Sequence, residues 1–188
     1  MVATAGVTVG AESGKKYKAC IIGDSKLGRY GHSIQHAFAL RDDVATVALA
    51  DPDEAGRAQC AKEVGVERTY ADYREMLEKE RPDLVAVGPR CTVNHRDYLL
   101  ACAEVGAHGF IEKPLCDDLA SGDEMIAAIE AKNLKWSIAH NFRGMPLVQH
   151  AKKLVCEQGL IGTVLEVRGR GKEDHRAGGE DLIVLGTH

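Results

Sequence analysis

No CxxC pair, no block of like charge and no apolar stretch near membrane-span length occurs in these 188 residues, and each absence removes a class of protein. The six cysteines, Cys20, Cys60, Cys91, Cys102, Cys116 and Cys156, are scattered and sit mostly in apolar runs, where a thiol acts as a small hydrophobe. They read as reduced and structural, as in the cytoplasm. The 24 basic and 28 acidic residues form no patch, which argues against a nucleic-acid footprint or a membrane-surface partner. Without about 20 consecutive apolar residues there is no spanning helix. Residues 1–16, "MVATAGVTVGAESGKK", lack the basic start and continuous apolar segment of a secretion signal and read as a flexible tail. His36, His140, His150 and His175 form no metal-ligand set and read as surface or capping residues, as does His32 apart from its place in the loop described below. There is no internal repeat and no low-complexity tract. What remains is a cytoplasmic globule with a small-molecule partner, without metal, nucleic acid or membrane.

What is present is an alternation. The runs "ACIIG", "VATVALAD", "DLVAVGP", "HGFIEKP" and "KWSIAHNF" are almost continuously apolar, as strands covered on both faces are. Between them, helical patterns cover Ser33 to Leu40, Pro52 to Val64, Tyr73 to Glu80, Val93 to Val105 and Asp117 to Lys132. Such βαβ units predict an α/β fold with a doubly wound parallel sheet. Pro52 suits a first helical turn, Gly65 and Gly106 suit left-handed caps, and Asp117 or Ser121 suits the start of the last helix. From Met145 the pattern changes to a helix reaching Gln158, a turn at Gly159 to Gly162, a strand "TVLEVRGRG", a polar glycine-rich loop and "EDLIVLGTH". These pieces cannot cover one another, so residues 145–188 read as the incomplete start of a second α/β domain. Val164, Leu165 and Val167 are then expected to pair with another chain, giving a homo-oligomer, or to disorder.

The stretch "ACIIGDSKLGRYGHSI" breaks a strand into glycines before a helical pattern resumes. A dinucleotide pyrophosphate binds where a strand ends and a helix N-terminus offers free N–H groups, and side chains there would hold the phosphates away. Gly23, Gly28 and Gly31 follow G-x4-G-x2-G, a longer loop than the usual spacing, and alone they fit an ordinary glycine turn equally well. Asp51 decides between the two. It ends the second strand twenty residues beyond Gly31, where a carboxylate can accept both ribose hydroxyls of the adenosine half. Its charge repels a 2′-phosphate and so favours NAD over NADP. Arg57, one turn into the next helix, either blunts that preference or lies on a solvated helix face.

The stretch "GFIEKPL" places Glu112, Lys113 and Pro114 at the carboxyl end of a strand, where open sheets bind ligands. With the glycine loop, "VAVGPRCTVNH" and "NFRGMP...GLIGTVLEVRGR", the chain from about Tyr17 to His188 resembles the glucose-fructose oxidoreductase / inositol dehydrogenase (Gfo/Idh/MocA) family. The resemblance implies an NAD(P)-binding Rossmann domain over residues 17–144, an open-sheet C-terminal domain, and hydride transfer between a nicotinamide cofactor and a sugar, cyclitol or related alcohol. It implies Gly23, Asp24, Ser25, Gly28, Gly31, His32, Asp51, Pro89, Arg90, Glu112 and Lys113 at the cofactor, and Asn141 and Arg143 at the substrate. Lys113 is then placed near both nicotinamide and the reacting hydroxyl, with Glu112 or local burial lowering the cost of proton transfer. His95 corresponds to the family's histidine after the fourth strand and is either a ligand or a capping and packing residue. His188 aligns with the family's D-x-x-x-H histidine, which exchanges the substrate proton. Val184 stands where that motif has aspartate, and Asp181 lies two turns from His188. A non-catalytic NAD-binding module, and a fragment of the enzyme, are the competing expectations.

Overall fold

A computed structural model describes residues 16–168. Its six strands are β1 (Tyr17–Ile22), β2 (Val44–Ala50), β3 (Arg68–Tyr70), β4 (Leu84–Val87), β5 (His108–Ile111) and β6 (Trp136–Ile138). All pair in parallel, in the order β3-β2-β1-β4-β5-β6. The chain builds outward from β1 on one side, then crosses back to build outward from β4 on the other. This is the doubly wound architecture, and its reversal point lies between β1 and β4.

The apolar runs have a two-faced purpose. In β1, Cys20 and Ile22 enter one core and Ile21 enters the other. Ala48 and Ala50 of β2 likewise oppose Leu49, and Val85 and Val87 of β4 oppose Ala86. A strand alternates its side chains between faces, so a sheet covered on both sides needs apolar residues at every position. The covering helices are α1 (Glu54–Val64), α2 (Tyr73–Glu80), α3 (His95–Glu104) and α4 (Leu119–Ala131). Met76, Leu77, Leu99, Cys102 and Met125 carry α2, α3 and α4 into the first core.

Helix starts are set by aspartates. Asp53 caps α1 by accepting the Gly56 N–H at 2.8 Å, Asp72 caps α2 through the Arg74 N–H at 2.8 Å, and Asp118 caps α4 through the Ser121 N–H at 2.8 Å. Pro52 therefore precedes the cap of α1 instead of opening its first turn, and Asp118 caps α4 in place of Asp117 or Ser121. Gly65 ends α1 at φ 72°, as expected of a left-handed cap.

Two expected elements do not form. Ser33 to Leu40 holds only a 3₁₀ turn, Ile34–His36, within a run of turns. The cause lies upstream, where Gly28, Arg29, Gly31 and Ser33 all have positive φ, a conformation that cannot propagate a right-handed helix. Residues 163–168 of the expected strand "TVLEVRGRG" are not a strand, and Leu165 and Val167 stand in solvent. A strand needs a neighbour to receive its N–H and C=O groups, and among the described residues none is paired with this segment. The three-residue β3 went unforeseen, being too short for its alternation to register. Beyond β6 come α5 (Asn141–Gly144), α6 (Pro146–Lys152) and a π-helical turn, Lys153–Glu157, so the helix expected to reach Gln158 is present in outline. Phe142, Met145, Leu147, Val148, Leu160 and Ile161 along this stretch are exposed. Among the described residues no helix is long and apolar enough to cross a membrane.

The core makes a prediction about thiols. All six cysteines are free, with Cys20, Cys60 and Cys102 buried and Cys91 and Cys156 exposed. Burial pushes the Cys20 thiol up to about 12 and the Cys60 thiol up to about 11, and it raises Cys102 as well. A thiol-directed label at mildly alkaline pH is expected to modify Cys91 and Cys156 in the folded chain and to reach the buried three only in denaturant, as read by peptide mass mapping. Labelling of Cys102 under native conditions would mean that the α3 face does not close on the sheet.

Candidate functional site

Register brings the motifs together. Ile22 of β1 pairs with Ala50 and Val87, Val87 pairs with Ile111, and Ile111 pairs with Ile138. The next residue of each strand therefore falls in one row at the carboxyl edge: Asp51, Gly23, Gly88, Glu112 and Ala139. Backbone bonds carry the ladder into this row, with Gly23 N–H to Ala50 O at 2.8 Å, Gly88 N–H to Ile22 O at 2.9 Å and Glu112 N–H to Val87 O at 2.9 Å. Residues as far apart in sequence as Gly23 and Ala139 are thus fixed within one edge by strand pairing alone.

At the β2 end, Asp51 is fully buried, and its carboxylate already serves the protein. Oδ1 accepts the N–H groups of Ser25 at 3.2 Å and Asp53 at 2.9 Å, while Oδ2 accepts the Ser25 hydroxyl at 2.8 Å. Arg57 Nη1 donates to the Asp51 carbonyl at 2.6 Å. Arg57 is therefore tied to the backbone at the β2 end and is partly exposed. Ser25 occupies the acceptor that a ribose diol would use.

The glycine segment is folded on the protein's own atoms. Asp24 Oδ1 accepts the N–H groups of Lys26 at 3.0 Å and Leu27 at 3.1 Å, closing a tight turn. A Cβ built on Gly23 would lie 2.1 Å from the Tyr30 ring, one on Gly28 2.8 Å from the Arg90 nitrogen, and one on Gly31 2.6 Å from Glu112 Oε1. The glycines do permit close approach, as their pattern suggests, but the approaching groups are Tyr30, Arg90 and Glu112. No helix N-terminus follows them. The expected helix-dipole contribution to anion binding is absent from this arrangement, and the N–H groups of Ser25, Lys26 and Leu27 are already bonded within the protein.

Tyr30 is a residue the sequence argument passed over. Its ring is buried against Gly23, its Cα abuts Gly88, and its hydroxyl has no hydrogen-bond partner among the described residues. Burial pushes this phenol strongly up, so it stays protonated. An aromatic residue between two glycines of a loop was the available signal. Tyr73 and Tyr98 were also missed. Their rings meet edge to face at 4.8 Å and help line a cleft of about 400 Å³ with Gly23, Ala50, Pro52 and Asn94. Burial raises the Tyr73 phenol to about 12. The two rings form one wall of the cleft, and Asp24, Asp72, Arg74 and Asp97 give the rest of it a charged lining beside the β2 end.

At the β5 end, Glu112 is fully buried and Lys113 nearly so. Glu112 Oε1 accepts the His32 N–H at 2.9 Å and contacts His32 Nδ1, while Oε2 accepts the Lys113 N–H at 2.6 Å. Pro89 and Arg90 lie directly after Gly88, Pro89 buried and Arg90 exposed. His95 is fully buried and bridges two loops, with Nε2 2.7 Å from the Pro89 carbonyl and Nδ1 3.1 Å from the Leu115 carbonyl. Of its two open readings, this geometry is the packing one.

The structure therefore brings Gly23, Asp24, Ser25, Gly28, Gly31, His32, Asp51, Pro89, Arg90, Glu112 and Lys113 to one edge. Asn141 and Arg143 follow β6 and line a separate groove with Phe110, Trp136 and Gln149. His188, with Asp181 and Val184, lies outside the described residues. On the β2 side, the cleft beside Tyr73 and Tyr98 lies next to the buried Asp51 carboxylate. On the β5 side, Lys113 follows the buried Glu112 at the carboxyl edge of the sheet. The buried Tyr30 hydroxyl lies under the glycine turn in the neighbourhood of Asp51 and Cys60.

Residues 17–140 match the family model described as "Oxidoreductase family, NAD-binding Rossmann fold". Among curated proteins the chain is similar to D-apiose dehydrogenase of Paraburkholderia graminis, 30% identical over 149 residues, covering 79% of this chain and 38% of that protein. It is also similar to myo-inositol 2-dehydrogenase of Thermotoga maritima, 32% identical over 151 residues, covering 79% of this chain and 45% of that protein. Among solved structures, scyllo-inositol dehydrogenase from Lactobacillus casei, with bound NAD(H) and scyllo-inositol, superposes with a TM-score of 0.68 at 28% identity, covering 79% of this chain and 43% of that one. The chain thus spans less than half the length of these relatives.

Proposed function

Because this chain belongs to the Gfo/Idh/MocA oxidoreductase family, with its NAD-binding Rossmann fold, we propose that it is the dinucleotide-binding part of an NAD-dependent dehydrogenase acting on a sugar, cyclitol or related alcohol. The observation that carries this reading is the single row of Asp51, Gly23, Gly88 and Glu112, with Lys113 next to it, at the reversal point of the sheet. The chain from Met145 is the start of a second domain in this reading, which the exposed apolar side chains of Leu147, Leu160, Ile161, Leu165 and Val167 support.

In this reading the cleft beside Tyr73 and Tyr98 takes the adenine, and Asp51 accepts the adenosine ribose once Ser25 releases it. The bound dinucleotide supplies a hydride acceptor. Lys113, held nearly out of water, donates to the substrate oxygen as it becomes a carbonyl, and Glu112 fixes the backbone that carries it. Asn141 and Arg143 bind substrate from the β6 side. His188 exchanges the substrate proton. The preference for NAD over NADP follows from a buried carboxylate that would face a 2′-phosphate.

The test is an NADH titration of the purified chain, following nicotinamide fluorescence. Saturable binding with an enhanced signal is expected, displaced by ADP, because the adenosine and pyrophosphate contacts lie within the residues present. Folded protein that leaves NADH fluorescence unchanged, and shows no binding by calorimetry, would remove the dinucleotide assignment.

A further inference from the structure

The glycine segment and the E-K-P strand end touch through one side chain, His32. It follows directly on Gly31, whose missing Cβ leaves room for Glu112: a methyl group there would lie 2.5 Å from Glu112 Cγ and 2.6 Å from the Gly88 carbonyl. Into that contact His32 directs two groups, its N–H and its ring Nδ1, both toward Glu112 Oε1. The other carboxylate oxygen, Oε2, holds the N–H of Lys113 at 2.6 Å. Glu112 is fully buried, whereas the His32 side chain is about half exposed, at 47%. A buried carboxylate gains strongly from charge-assisted and closely placed donors, and one oxygen held from each side leaves it little freedom to rotate.

We infer that His32 is a positioning residue for the nicotinamide end of the site: it fixes Glu112, and through Glu112 the backbone of Lys113, against the turn that contacts the pyrophosphate. The inference rests on the dinucleotide reading above and extends it to a residue remote from the E-K-P motif by eighty positions. The linkage runs in both directions. A cofactor that orders the glycine turn also orders the lysine, and a displaced lysine strand loosens the turn. Because about half of the His32 side chain is in solvent, its replacement removes the ring contact without opening a core cavity and leaves the backbone N–H on Glu112 in place.

Binding of NADH and of ADP to the 188-residue chain separates this role from a structural one, since ADP contains the adenosine and pyrophosphate but lacks the nicotinamide riboside. For His32→Ala, NADH is expected to bind about tenfold more weakly, the loss of one charge-assisted hydrogen bond, while ADP changes less than about twofold. His32→Asn places an amide N–H close to the position of Nδ1 and is expected to recover most of the NADH affinity. Equal weakening of both ligands would mean that His32 only folds the turn, and unchanged NADH binding would mean that Glu112 needs no such holder. Either result overturns the inference. Should the parent chain bind neither ligand, the dinucleotide reading falls first, and this inference falls with it.

Discussion

Gly31→Ala is expected to cost this chain about 2 to 5 kcal/mol of stability, the sum of a left-handed non-glycine residue and an overpacked contact. Gly31 has φ 58°, and the space beside it is filled by Glu112 and the Gly88 carbonyl. Neither can yield easily: Glu112 is buried with both oxygens engaged, and Gly88 is fixed by its bond to Ile22. Gly65 supplies the control. Its φ of 72° is equally left-handed, but nothing lies within 4 Å of where its Cβ would be. Gly65→Ala should therefore show the backbone cost alone, about 1 kcal/mol. Denaturant midpoints of the two variants, with unchanged slopes, give the difference directly. Equal losses would mean that Glu112 does not pack against Gly31. Loss of NADH affinity in Gly31→Ala should accompany the loss of stability.

Asp51→Asn is expected to leave the fold near parental stability while weakening NADH by about 10- to 100-fold, the range for a hydrogen bond to a charged group. The amide oxygen can still accept from Ser25 and Asp53, so the local turn survives, but the charge is gone. NADPH should lose less, because the repulsion of its 2′-phosphate disappears with the carboxylate. Asp51→Ala is the poorer test: it strands three donors in a buried place, and unfolding would confuse the result. Ser25→Ala should act in the opposite sense. It removes the hydroxyl that now holds Oδ2 at 2.8 Å, and NADH should bind more tightly. Parallel titrations with NADH and NADPH check all three variants. Equal affinity for both cofactors in the parent would show that Asp51 does not reach the ribose.

Much of the fold was written in the apolar runs. Ala19 to Ile22 are all buried because β1 lies at the centre of the sheet, and a run with no polar alternation has no other economical position. Tyr73–Glu80 matched its helix end to end, since Asp72 caps it and its apolar residues keep helical spacing. The Ser33 segment failed because Arg29 and Ser33 adopt positive φ, which ordinary residue preferences argue against. The residues of the site were legible individually, but not their bonds. Nothing in the order Gly23, Asp24, Ser25 says that Ser25 will turn back onto Asp51. That depends on the height of the β2 end relative to the β1 end, which register fixes and sequence does not display. His95 was ambiguous for the same reason, since its two carbonyl partners come from loops that only the β4 and β5 pairing brings together.

The central position of β1 also governs how the chain must be assembled. Its two neighbours differ greatly in sequence distance: β2 begins soon after it, whereas β4 starts at Leu84, and the Lys18 N–H reaches Asp83 across 65 residues. A growing chain that has emerged only as far as Tyr70 can pair β1, β2 and β3, but it leaves the far side of β1 as a bare apolar edge. That edge is of the kind that recruits foreign strands. Closure waits for Leu84–Val87, so pairing β1 with β4 across the intervening β2, α1, β3 and α2 is a late, entropically costly step in folding. Until it is complete, half of the sheet is a template for aggregation, and chaperone demand should be greatest while the segment from Tyr70 to Val87 is being made.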